Sequence, residues 1–259
     1  MNHRPRKRFG QHFLCDPNII EKIVGYIAPN KTQAMVEIGP GLGAITCPLL
    51  ERVGCLDVVE LDRDLIPHLL SLCVNRGKLV IHNEDALRFN FTRLAPENGG
   101  LRIIGNLPYN ISTPLLFHLL KFSSFIVDMH FLLQKEVVER ITAVPGTGNY
   151  GRLSVMVQSL ARAERLFNVG SGCFSPPPKV NSAFIRLSPH RKPVFSINDR
   201  RQFSRVVTQA FSKRRKTLRN ALKGLLSADE ISAENIDPGA RAETLSIEQF
   251  AALSNRLNP

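Results

Sequence analysis

Apolar runs of five to nine residues recur through the first part of the chain, at 34–38, 56–61, 78–82, 101–105 and 125–133. They are apolar almost throughout, not alternating, which suits strands buried on both faces of a parallel sheet. Between them the apolar spacing turns helical, and it predicts crossover helices over 42–52, 64–75 and 113–121. A further helix is expected over 153–162, then two more strands at 166–169 and 180–187. The run Pro176-Pro177-Pro178 joins these last two and cannot itself lie in a central strand. Seven strands alternating with helices predict an α/β fold built on a doubly wound, mostly parallel sheet.

Past Pro189 the pattern changes to helices alone, with cap residues Ser227, Ser232 and Ser246. The expected division is therefore an α/β domain over 1–189 and a small all-helical domain over 190–259. Within the latter, Phe203, Val206, Val207, Ala210, Phe211, Leu218, Ala221 and Leu222 keep helical spacing, predicting one helix over 200–223 capped by Gly224.

Composition changes this picture little. Apolar residues at 43% and charged residues at 22% exclude the disordered and fibrous classes. Charge changes it more: 34 Lys and Arg against 22 Asp and Glu leave a formal +12, which favours nucleic acid or an anionic membrane surface as partner. No apolar run approaches the ~18 residues of a membrane span, and Asp128 interrupts the most hydrophobic stretch, so no membrane association is expected. The five cysteines, odd in number and without C-x-x-C spacing, suit a reduced cytoplasmic setting. His68, His82, His118 and His130 have no ligand spacing, and no metal is expected. The Arg-rich opening is not followed by a hydrophobic segment and is not read as a targeting signal.

The candidate chemistry lies at strand ends. Gly39, Gly41 and Gly43 follow the first long strand and open a helix, so the backbone can pass close to a ligand at the helix N-terminus. Glu60, at the end of the next strand, suits ribose hydroxyls. These features fit a nicotinamide dinucleotide and S-adenosylmethionine equally. Asp85, after the third strand, can accept a hydrogen from an adenine amino group, or simply cap the next segment.

Asn106-Leu107-Pro108-Tyr109, after the fourth strand, decides between the cofactors. An adenine amino nitrogen is a weak nucleophile that needs orientation more than a strong base. The Asn106 side-chain oxygen and the Leu107 carbonyl can accept its two hydrogens. Pro108 holds Leu107 out of helical dihedrals, and Tyr109 offers a face on which an unstacked base can lie. A basic segment completes the inventory: Arg215, Arg219 and Lys223 at four-residue spacing, with Lys213, Arg214 and Lys216 beside them and no acid between 200 and 223. Unneutralised like charge favours a phosphate-facing role over a merely solvated face.

Phe9-Gly10-Gln11-His12-Phe13-Leu14, Glu37-Ile38-Gly39-Pro40-Gly41-Leu42-Gly43, Glu60-Leu61-Asp62, Glu84-Asp85-Ala86 and Gly105-Asn106-Leu107-Pro108-Tyr109-Asn110-Ile111-Ser112 together resemble the ribosomal RNA adenine dimethyltransferase family, most closely its bacterial small-subunit branch. Phe174 to Ser182 and Ala210 to Asn220 extend the resemblance over nearly the whole chain. It implies a Rossmann-like methyltransferase fold, S-adenosylmethionine as cofactor, and dimethylation of the N6 amino groups of two adjacent adenosines near the 3′ end of small-subunit ribosomal RNA. It further implies a role in subunit biogenesis, with an immature small subunit as partner and a monomeric, cytoplasmic enzyme.

By that resemblance His12 and Leu14 close over the cofactor, Gly39 and Gly41 approach it, Glu60 holds its ribose and Asp85 its adenine. Asn106 borders cofactor and target base, and Phe174 stacks the base opposite Tyr109. Many relatives have Asn where His12 stands, so a backbone contact is the safer inference there. Arg214, Arg215, Lys216 and Arg219 face RNA. The competing functions are the large-subunit ribosomal RNA branch of the family, an assembly checkpoint acting chiefly by binding, and an NAD-dependent oxidoreductase.

Overall fold

The computed structural model describes residues 11–97, 100–213 and 215–257, and its chain forms two units. The first comprises the residues up to Val138 together with Glu164–Pro189. In chain order its elements are β1 (Phe13–Leu14), α1 (Pro17–Ile27), β2 (Met35–Ile38), α2 (Thr46–Val53), β3 (Cys55–Val59), α3 (Ile66–Leu72), β4 (Lys78–His82), β5 (Leu101–Asn106), α4 (Ser112–Leu120) and β6 (Ile126–Gln134). Then follow α5 (Lys135–Ile141), β7 (Ala161–Val169), β8 (Phe174–Ser175) and β9 (Ser182–Pro189), with α5 and β7 running across the unit boundaries and α6 (Arg152–Gln158), between them, belonging to the second unit.

Seven strands make one sheet in the order β4-β3-β2-β5-β6-β9-β7, and β1 pairs separately with β8. From β4 to β6 all neighbours are parallel, while β9 lies antiparallel to β6. The strands read as apolar because they are covered: all four residues of β2 are buried, as are the first five of β5. Helix α1 begins where Asp16 accepts from the amides of Asn18 and Ile19 with Pro17 at the first helical position. It buries Ile23, Val24 and Ile27 in a core shared with Leu49, Leu50 and Val53 of α2.

The strand order reverses between β2 and β5. A ligand crevice forms at such a switch point, outside the carboxyl ends of the strands. The dinucleotide-binding order, 3-2-1-4-5-6, is modified here by the antiparallel β9 lying between β6 and β7. The two central strands come close at that point. Ile38 and Gly105 are register partners, and a Cβ on Gly105 would fall 2.7 Å from the Ile38 carbonyl oxygen and 2.8 Å from Leu107 Cδ2.

Several expected boundaries shift. The helix expected from residue 42 begins at Thr46, because Gly39, Gly41 and Gly43 all adopt positive φ and spend that segment on a turn. The helix expected over 64–75 splits into a 3₁₀ turn at Arg63–Leu65 and then α3. Strand β7 starts at Ala161, inside the stretch expected to be helical. It stands at the end of the sheet order, where half-exposed residues dilute the apolar signal.

The second unit comprises Glu139–Ala163 and the residues from His190 onward, which differs from a single division at residue 190. Ala143, Tyr150 and Val155 belong with it because they share its core with Phe203, Val207 and Phe250. The helix expected over 200–223 is broken into α7 (Arg200–Ala210) and the short α8 (Leu218–Ala221); α9 (Ala228–Ser232) and α10 (Ile247–Asn255) follow. All the apolar positions read from the spacing are buried except the half-buried Phe211. Continuity fails because backbone partners outside the helix win: Leu218 N–H donates to Ala240 O at 2.8 Å, Arg219 N–H to Pro238 O at 3.0 Å, and Thr217 bridges Arg241.

The close approach at Gly105 predicts that Gly105→Ala destabilises the chain by about 1–3 kcal/mol, since backbone and not a flexible side chain stands in the way. Gly25, inside α1, has open space where a Cβ would stand. Gly25→Ala should instead stabilise by about 0.5–1 kcal/mol. Urea denaturation of the two variants checks both signs.

Candidate active site

The carboxyl ends of β2, β3, β4 and β5 open into a cavity of about 340 Å³ in the first unit. Of the expected catalytic and cofactor residues it gathers all: His12, Leu14, Gly39, Gly41, Glu60, Asp85, Asn106, Leu107, Pro108 and Tyr109. Gly39 sits at φ +66° and Gly41 at φ +57°; a Cβ on Gly41 would press within 3.0 Å of the Phe13 ring. Glycine there keeps the loop open to a ligand as well as relaxed.

Glu60 stands one residue past β3 and is buried. Its Oε2 accepts the Gly41 amide at 3.3 Å and its Oε1 the Asp62 amide at 2.7 Å. Burial raises its pKa, and those amide donors oppose the rise. The carboxylate is thereby aimed across the cavity with lone pairs left for hydroxyl donors. Asp85 shows both of its expected characters. Oδ1 caps the next segment by accepting Leu87 N–H at 2.9 Å, while the half-buried side chain still borders the cavity.

The residues of the Asn106-Leu107-Pro108-Tyr109 turn are each held. Asn106 Nδ2 donates to the His12 carbonyl at 2.9 Å. A primary amide carries donor and acceptor on opposite arms, so this bond turns Oδ1 away from His12. Leu107 N–H donates to Leu132 O at 3.2 Å, fastening the turn to β6, and Ile111 N–H closes it onto Pro108 O at 3.1 Å. The Tyr109 hydroxyl pairs with Ser182 Oγ at 2.8 Å, and its pKa is raised by burial, with Ser182 pulling the other way.

Residues Gln11 to Leu14 form a strap over the same strand ends. Gln11 Nε2 donates to Asp62 Oδ2 at 3.0 Å, and His12 Nδ1 lies 2.8 Å from Pro176 O. The His12 ring stacks on Tyr109 with centroids 5.8 Å apart and 27° between planes. Thus His12 contributes its carbonyl to Asn106 and its ring to Tyr109.

Phe174 is the exception among the expected site residues. It is 3% exposed, packed in the core with Leu14 and Phe184, and does not border the cavity. The pairing of Leu14 with Phe174 across β1 and β8 draws it inward. Of the basic positions, Lys213, Arg215, Lys216, Arg219 and Lys223 are exposed, but the break between α7 and α8 means they do not form one helical face. Arg214, like Phe9, Gly10 and the cluster Arg4 to Arg8, lies outside the described residues.

Glu37 was missed as a site residue. It lies on β2, 2% exposed, and borders the cavity. Its pKa is pushed up to about 7, first by burial and further by the nearby Glu60, with the Thr46 hydroxyl opposing. The Thr46 hydroxyl is near enough to ease the carboxylate, yet neither it nor Glu37 Oε2 meets hydrogen-bond geometry with any partner among the described residues. An acid inside an otherwise apolar strand run was the available signal. Among the described residues no group of three or more His, Cys, Asp or Glu could hold a metal ion, and no helix is long and apolar enough to cross a membrane.

A switch-point cavity with the buried Glu60 carboxylate on one side and an amide-and-carbonyl turn on the other is the arrangement of a Rossmann-like methyltransferase. The family model for ribosomal RNA adenine dimethylase matches residues 2–259, and the chain belongs to that family. It is 56% identical over 254 residues to the ribosomal RNA small subunit methyltransferase A of Nitrosococcus oceani, covering 98% of this chain and 96% of that one. It is 52% identical to the protein of the same description from Pseudomonas aeruginosa, covering 98% and 95%. Two solved structures share the fold: a dimethyladenosine transferase from Plasmodium falciparum, at TM-score 0.78 and 24% identity over 93% of this chain and 96% of that one, and the 23S rRNA methyltransferase ErmE, at 0.74 and 24% over 95% and 100%.

The raised Glu37 pKa has a sign. Between pH 4.5 and about 7 the folded chain holds a proton that the unfolded chain has released. Stability therefore falls as pH rises through that window, by about 3 kcal/mol in the limit of the full shift. Urea midpoints of the cofactor-free protein should decline from pH 5 to 7, and Glu37→Gln should flatten that decline. An equal slope in the variant would assign the decline to another group.

Proposed function

We propose that this chain transfers methyl groups from S-adenosylmethionine to the N6 amino group of two adjacent adenosines near the 3′ end of small-subunit ribosomal RNA, dimethylating each. The observation that carries the reading is the Asn106 amide, whose donor arm is committed to His12 O and whose acceptor arm has no partner among the described residues, in the cavity that the glycine turn also lines. The residues present fit the cofactor. Glu60 would take its ribose hydroxyls, Asp85 its adenine amino group, and the unpartnered oxygen of Glu37 its ammonium, with the Gly39 and Gly41 backbone alongside. When bound, the cofactor supplies a methyl group already activated on a sulfonium.

The chain's own part is orientation. Asn106 Oδ1 and the Leu107 carbonyl accept the two amino hydrogens, which fixes the nitrogen's facing and enriches its lone pair. Tyr109 gives the displaced base a surface to stack on. The Gln11–Leu14 strap covers the strand ends and limits water there. In the second unit Lys213, Arg215, Lys216 and Arg219 answer the RNA phosphates. The substrate particle is an immature small subunit, and the enzyme acts as a cytoplasmic monomer with a role in subunit biogenesis.

Label from methyl-labelled S-adenosylmethionine should enter small subunits prepared from cells lacking this protein, and should map to two adjacent adenosines. Asn106→Ala and Tyr109→Ala should each reduce labelling about a hundredfold while circular dichroism shows both variants folded. Full labelling by both would refute the mechanism. Replacing Arg215 or Lys216 by Ala should weaken RNA binding and flatten log K against log salt by about 0.7–0.9 per residue. An unchanged slope would remove those residues from the interface.

A further inference from the structure

The mechanism asks Tyr109 for a surface at a fixed place, and a tyrosine on a turn does not by itself provide one. Its ring can swing about the bonds to the backbone unless its far end is held. That end is held. Ser182 Oγ lies 2.8 Å from the Tyr109 hydroxyl, and Ser182 is 1% exposed, so its hydroxyl cannot trade Tyr109 for bulk water there. Ser182 opens β9, and because β9 runs antiparallel to β6 its first residue pairs with Gln134, the last of β6. The reversed strand thus brings a serine from 73 residues away to the edge where the parallel strands deliver Asn106 and Tyr109.

Two other contacts restrain the same residue. Ser112 Oγ donates to the Tyr109 carbonyl at 3.1 Å, and the His12 ring lies against the Tyr109 ring. We propose that Ser182 is a positioning residue for methyl transfer, fixing the Tyr109 ring and through it the target base. The proposal rests on the reading of Tyr109 as the base platform. Ser182 touches neither cofactor nor base; it acts through the ring.

Steady-state methylation of small subunits by the full chain tests this. Ser182→Ala should lower kcat/KM three- to tenfold, mainly through kcat because alignment is lost, while the Kd for S-adenosylmethionine stays unchanged. Tyr109→Phe opens the same bond from the other side and leaves β9 intact, and it should cost a similar factor. The double variant should be no slower than either single one, because a bond can be lost only once. An unchanged kcat/KM in Ser182→Ala, or effects that multiply in the double variant, would overturn the assignment. So would a cofactor Kd that worsens in step with kcat, which marks general disruption. Should Ser182→Ala fail to fold, Tyr109→Phe decides alone, and wild-type kcat in it overturns the proposal. If the unaltered chain transfers no label, the proposed function has failed together with this inference.

Discussion

Ile38 and Gly105 stand side by side on parallel strands with no room for a side chain between them. That close packing joins the two halves of the sheet at the point where its order reverses. On one side the chain leaves β2 through the glycine turn, and on the other it leaves β5 through Asn106 to Tyr109. The glycine turn and the Asn106-to-Tyr109 turn are therefore neighbours because two strands are. A Cβ on Gly39 would lie 4.0 Å from the Asn106 carbonyl oxygen, ordinary contact distance, so the same adjacency continues past the strand ends.

The burial that makes this junction possible also sets its electrostatics. Burial and the nearby Glu60 carboxylate together raise the cost of ionising Glu37. The two carboxylates are treated differently by the backbone. Glu60 receives two amide donors and is held as an acceptor for neutral hydroxyls. Glu37 keeps an oxygen without a partner among the described residues, which is a cost for a buried acceptor.

Around the junction, restraint comes from distant parts of the chain. The strap at Gln11 to Leu14 touches the ends of β3 and β5 and the loop after β8 through single hydrogen bonds. Strand β9 contributes Ser182 because it runs against its neighbours. A wholly parallel sheet would present only carboxyl ends at this edge; the one reversed strand lets an N-terminal residue join them.

The amino-acid sequence by itself determined the class of fold and the chemistry at the strand ends. Buried parallel strands must be apolar on both faces, and glycines, carboxylates and the Asn-Leu-Pro-Tyr turn carry their meaning locally. It also determined which faces of 200–223 are buried, since Phe203, Val207 and Leu222 repeat at helical spacing. Other features depended on partners far away in the chain, which no local pattern encodes. The break before α8 follows from hydrogen bonds to residues 238–240. The withdrawal of Phe174 follows from pairing with Leu14. The strain on Glu37 follows from burial beside Glu60, and the fixing of Tyr109 from a serine on another strand. Periodicity and residue type report what each segment needs; only the packed tertiary structure decides which distant group meets that need.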